Sequence, residues 1–145
     1  MGSSGKSKSK KQTVGYTYFM AAIFGLCIKA TKLLKIVYGE RVAWSGEAAD
    51  GAIVAVDNPN LYGGEEVGGS GGLKGNFHFN CGGASQQPNP VMREYLGADC
   101  PAHRGVVTLS MDSSSVASFS PSFRPLYCLI QNLGYDWYPA KATIA

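Results

Sequence analysis

Much of this chain alternates apolar and polar residues with the two-residue period of a strand. Leu33-Leu34-Lys35-Ile36-Val37-Tyr38 and Arg41-Val42-Ala43-Trp44 flank Gly39-Glu40 and read as a β-hairpin with those two residues at its turn. Ser45 to Gly51 reads as a loop and Ala52-Ile53-Val54-Ala55-Val56 as a short buried strand, ended by the turn residues Asp57-Asn58-Pro59-Asn60. Asn76-Phe77-His78-Phe79-Asn80-Cys81 alternates again, which places His78 on the face opposite the two phenylalanines. His103 to Met111 and Pro125 to Gln131 complete the strand signals, with a serine-rich loop expected over 112–122 and a further excursion at Trp137-Tyr138-Pro139. The one helical signal is short: Pro90 opens Val91-Met92-Arg93-Glu94-Tyr95-Leu96 and Gly97 closes it. Residues 14–28 are apolar without a helical stripe, and their aromatic start favours a strand despite Ala21-Ala22.

The pattern predicts a mainly β fold, a small barrel- or sandwich-like domain with long Gly-rich loops and one short helix. The chain's 145 residues suit one domain, expected over 14–145. Its 19 glycines point to many turns. The densest glycine run, Leu61 to Gly75, has seven in fifteen residues, too little apolar surface to hold itself in place, and is expected to be mobile or to be fixed by another subunit.

Charge separates a tail from the body. Lys6, Lys8, Lys10 and Lys11 make 1–13 a flexible basic arm, while the other nine Lys and Arg face ten Asp and Glu. The body is therefore close to neutral, which argues against a nucleic-acid surface across the domain. The start also imitates a secretory signal, a basic stretch followed by an apolar run from Val14 to Ile28. Tyrosines, glycines and Lys29 interrupt that pattern, and the run is too short and broken for a stable membrane span.

No chemistry-bearing motif emerges. Cys27, Cys81, Cys100 and Cys128 include no CxxC pair, so a zinc site is not expected. Cys27 and Cys128 lie in apolar runs and are expected as buried free thiols, while Cys81 and Cys100 could bond only in an oxidising compartment. Lys74 follows glycines but leads into a strand pattern, not the helix a phosphate loop requires. His78 and His103 are far apart, no GxSxG elbow exists, Ser113-Ser114-Ser115 reads as a loop tip, and Glu65-Glu66 sit side by side in the glycine run. Neither catalytic residues nor cofactors are expected.

Several landmarks resemble one family in order and spacing: Gly15-Tyr16-Thr17-Tyr18 with Gly25-Leu26-Cys27; Leu33-Leu34-Lys35-Ile36 before Gly39-Glu40-Arg41-Val42-Ala43-Trp44; Asn58-Pro59-Asn60-Leu61-Tyr62-Gly63-Gly64-Glu65; Arg104-Gly105-Val106-Val107; and Phe123-Arg124-Pro125. Together they resemble the N-terminal region of phage tail-tip or baseplate hub proteins, the lambda-type tip attachment (host-specificity) family. Two positions depart from it: Lys29-Ala30-Thr31 stands where the family carries Gly-Pro, and His103 where an aromatic precedes Arg-Gly-Val. The resemblance implies a virion component at the tail tip of a long-tailed bacteriophage (siphophage), made in the host cytoplasm and acting in tail assembly, host attachment and DNA delivery. It also implies a homo-oligomer, expected as a trimer, contacting other hub subunits, the distal tail protein and the tape measure protein. Members of the family run on for longer, so the chain is expected to be a short relative or the start of a longer hub protein. Tyr16, Tyr18, Phe19 and Phe24 are the candidate subunit-interface residues, because one small sheet can hardly bury them all. The alternative is a secreted or periplasmic β-rich binding module with residues 1–30 as its signal peptide.

Overall fold

A computed structural model describes residues 17–64, 67–118 and 123–132, the side chains of 113–118 excepted. Two antiparallel sheets face each other. Sheet A has strand order β1-β6-β5-β4, formed by β1 (Thr17–Cys27), β4 (Ile53–Asn58), β5 (Leu73–Asn80) and β6 (Val107–Ser118). Sheet B has the order β3-β2-β7, formed by β2 (Lys32–Tyr38), β3 (Arg41–Ala48) and β7 (Leu126–Gln131). The expected β fold is therefore present as a sandwich-like pair of sheets, with no closed barrel among the described residues.

Alternation builds the core. β5 turns Leu73, Phe77 and Phe79 inward, and β6 turns Val107, Leu109 and Met111 the same way. Leu33, Ile36 and Tyr38 meet them from β2. Phe77 and Phe79 are fully buried, each contributing about 1.5–3 kcal/mol of apolar transfer. β1 shows how one strand serves two faces: Tyr18, Met20, Ala22, Phe24 and Leu26 pack against this core, while Ala21 and Ile23 point outward to a second, smaller cluster.

That cluster sits under helix α1 (Pro90–Leu96), which contributes Val91 and Met92. Asn89 caps the helix, its Oδ1 accepting from Val91 N at 2.9 Å and Met92 N at 3.2 Å. Its Nδ2 donates to Ser110 Oγ on β6 at 2.5 Å, which ties the helix start to the outer face of sheet A. Pro90 at the first turn and Gly97 at the close occupy the predicted positions.

The β2–β3 hairpin turns at Gly39-Glu40 as predicted; Gly39 has φ of 68°, the sign that a primed two-residue turn requires at its first position.

Four expectations are corrected. β3 runs on through Ser45 to Ala48, because Ala48 is buried opposite Leu33. The chain from His103 to Val106 is a turn, with Val106 N donating to His103 O, and β6 starts at Val107. The serine-rich stretch continues β6 to Ser118, paired with β1, so Ser114 and Ser115 lie opposite Met20 and Phe19 and form no loop tip. Finally, the glycine run is tied down within this chain. Tyr62 N donates to Gly71 O at 2.7 Å and Gly71 N to Gly63 O at 3.0 Å. The Tyr62 hydroxyl donates to Tyr38 O and accepts from Glu40 N, both at 2.6 Å, while the Arg124 guanidinium lies 3.8 Å from the ring centre. Gly72 is buried so closely that a Cβ there would overlap the Asn58 carbonyl oxygen. Its glycines permit close packing of backbone, and Leu73, expected in the loop, already belongs to β5. Glu65 and Glu66 lie outside the described residues.

Candidate docking surface

The strand period sorts the four candidate interface residues. Tyr18 and Phe24 face inward, and Phe24 stacks on Phe123 with ring centres 6.0 Å apart. Phe19, one position out of phase, faces the other way and is 65 % exposed. Tyr16 lies outside the described residues. The core between the two sheets takes up part of Tyr18 and Phe24, two of the four candidate interface residues.

Phe19 has company that the sequence pattern left unassigned. Beyond the end of the α1 cover, Phe19 and Ala21 of β1 and Met92, Tyr95 and Leu96 of α1 line an apolar groove of about 390 Å³. Tyr95 and Leu96 are 64 % and 58 % exposed. The helix's buried side is Val91 and Met92, held by the small cluster, which leaves these two large side chains of its last turn largely exposed. The sequence signal was the adjacent apolar pair Tyr95-Leu96 closing a six-residue helical run, too short for its outward face to be assigned from periodicity.

A second apolar strip crosses the outer face of sheet B. Val37 of β2 pairs with Val42 on β3 and with Tyr127 on β7; Lys35 pairs with Leu129 in the neighbouring row. Val42, Tyr127 and Leu129 are all exposed. Single exposed apolar residues are ordinary; here two sets cluster, one on the outer face of each sheet.

The reactive groups are dispersed. All four cysteines are free; Cys100 is buried, while Cys27, Cys81 and Cys128 are partly exposed, so Cys27 and Cys128 are less enclosed than expected. Cys81 packs against the central core and Cys100 in the cluster under α1, on opposite sides of sheet A, which is not disulfide geometry. Burial pushes the Cys128 thiol up to about 11. Burial, then the charges of Asp50 and Cys27, raises that of Cys81. Both are held protonated, the poorly nucleophilic form. No group of three or more His, Cys, Asp or Glu side chains that could hold a metal ion occurs among the described residues. No helix among them is long and apolar enough to cross a membrane. Neither a protein-family model nor a curated protein sequence matches this chain.

Proposed function

We propose that this protein is a structural module of a long-tailed phage tail tip, a hub component that works by docking to other subunits and not by catalysis. The observation that carries the reading is the groove at Phe19, Tyr95 and Leu96. It is an apolar surface built on a strand and a helix that are already anchored in their own clusters, so it is available for contact without rearrangement. The apolar strip on sheet B gives a second face, as a subunit with neighbours on two sides requires. The phage assignment itself rests on the ordered landmarks from Gly15-Tyr16 to Phe123-Arg124-Pro125. Assembly as a homotrimer with distal tail and tape measure proteins as neighbours belongs to the same proposal.

The position of β1 weighs against residues 1–30 as a removable signal. Cleavage near Ala30 would strip an eleven-residue strand from sheet A and take Phe24 and Leu26 from the core. For the same reason, deleting residues 1–28 would test folding, not docking.

The sharper perturbation is Phe19→Asp, alone and with Leu96→Asp. Both side chains are largely exposed, so the fold should persist, with a loss on the order of 1 kcal/mol per site from the poor fit of Asp to a strand and to a helix C-terminus. Oligomer mass by light scattering and incorporation into tail particles by electron microscopy should both fall sharply. Normal oligomers and normal incorporation of the double variant would overturn the docking reading. Turnover of a cell-envelope polymer by the purified chain would overturn the non-catalytic one.

A further inference from the structure

Helix α1 covers only the β1–β6 half of the outer face of sheet A. On the β4–β5 half a cleft of about 440 Å³ lies open between the Asp50-Gly51 turn and the 83–90 loop. Small-molecule sites fall in the range of about 300–1,000 Å³. The floor is set by strand geometry. His78 and Asn80, two residues apart on β5, share its outward face, and Ile53 of β4 is the cross-strand partner of His78.

The cleft's polar groups divide into those already used and those left over. Gln86 is used: it accepts from Gly82 N at 2.8 Å and donates to Ala102 O at 2.8 Å. Asn89 is used by the helix cap and Ser110. Asp50 is half used. Its Oδ1 accepts from Cys81 N at 2.7 Å, which holds the carboxylate at the cleft wall with its second oxygen still able to accept. Gln87 donates from Nε2 to Ser85 O at 3.0 Å, leaving its Oε1. The side chains of His78 and Asn80 make no hydrogen bond to any described residue. A set of fixed acceptors and mixed donor–acceptors therefore surrounds Ile53, which is 62 % exposed.

This chemistry selects a ligand class. The lining contains no Lys or Arg and one carboxylate, so an anion is disfavoured. One carboxylate and one imidazole fall short of a cation cage. A purely apolar ligand would leave Asp50, His78 and Asn80 desolvated and unpaired. Neighbouring hydroxyl groups suit the site, because each donates and accepts, and an amide or carboxylate bridges two of them. The C–H face of a sugar ring would lie on Ile53.

The geometry points to a binding site for a neutral saccharide, with Asp50, His78 and Asn80 meeting its hydroxyls and Ile53 beneath the ring. This site is separate from the docking groove, and neither requires the other.

The test is saturation-transfer NMR on the full chain with glucose, galactose, mannose, N-acetylglucosamine and glucuronate. At least one neutral sugar should show transfer. His78→Ala, Asn80→Ala and Ile53→Asp should each weaken binding at least tenfold, with amide spectra showing that the fold persists. Phe19→Asp should bind as the unmodified chain does, even where it fails to assemble. No transfer from any neutral sugar, binding unchanged in all three variants, or a preference for glucuronate over the neutral sugars would overturn the proposal.

Discussion

Asn89 joins the helix that lines the apolar groove to the sheet beneath it, and its removal has a calculable effect. The residue is 7 % exposed and its side chain does two jobs, capping α1 and donating to the fully buried Ser110 hydroxyl. Asn89→Ala removes both. Loss of an N-cap costs about 1 kcal/mol. Leaving a buried hydroxyl without its partner costs about 1–3 kcal/mol more. The sum is about 3 kcal/mol, or roughly 10 °C in melting temperature for a domain of this size. Asn89→Ser keeps a capping oxygen but is too short to reach Ser110, so its loss should be intermediate. Adding Ser110→Ala to Asn89→Ser removes the orphaned hydroxyl and should recover part of that loss, since deleting both partners of a buried bond costs less than deleting one. Urea unfolding followed by tryptophan fluorescence measures all of these, and an unchanged m-value keeps the comparison valid. The reasoning fails if Asn89→Ala lies within about 1 kcal/mol of the unmodified chain, or if the double variant is the sum of its two single losses.

Other outcomes follow from the same geometry. Tyr62→Phe should lose about 1–2 kcal/mol, because its hydroxyl serves both Tyr38 O and Glu40 N, and hydrogen exchange at the Glu40 amide should accelerate. Gly72→Ala should destabilise strongly through overlap with Asn58 and Leu61, whereas Gly83→Ala, with open space around its Cβ position, should be neutral; equal effects would contradict the packed form of the glycine loop. For Cys128, burial raises the folded pKa from 9.0 to about 11, so the folded state keeps a proton that the unfolded chain releases. Its contribution is whole below pH 9 and is lost as pH rises toward 11. Cys128→Val should therefore flatten the alkaline fall in stability, and an identical pH profile would show that the thiol is not desolvated.

Part of this protein could be read from its residues in order. Local chemistry fixed the hairpin at Gly39-Glu40, the helix between Pro90 and Gly97, and the alternation that turns Phe77 and Phe79 inward and His78 outward. Each depends on neighbours within a few positions, where propensity and period suffice. Other features needed the partner strand. Nothing local makes 112–118 a strand, since serine has little tendency to form one; β1 lies alongside and supplies the ladder. The glycine run could not be told from a mobile loop, because what fixes it is Tyr62 reaching the β2–β3 turn and Arg124, far away in sequence. The same limit applies to the sites. Period alone places Phe19 and Phe24 on opposite faces of β1, but which face is buried depends on sheet B packing across from it. The groove of Phe19 with Tyr95 and Leu96 and the cleft of Asp50 with His78 join segments that have no local relation. Sequence patterns determine the faces of each element; only the stacking of two sheets and the placing of one short helix decide which faces are left for a ligand or a neighbour.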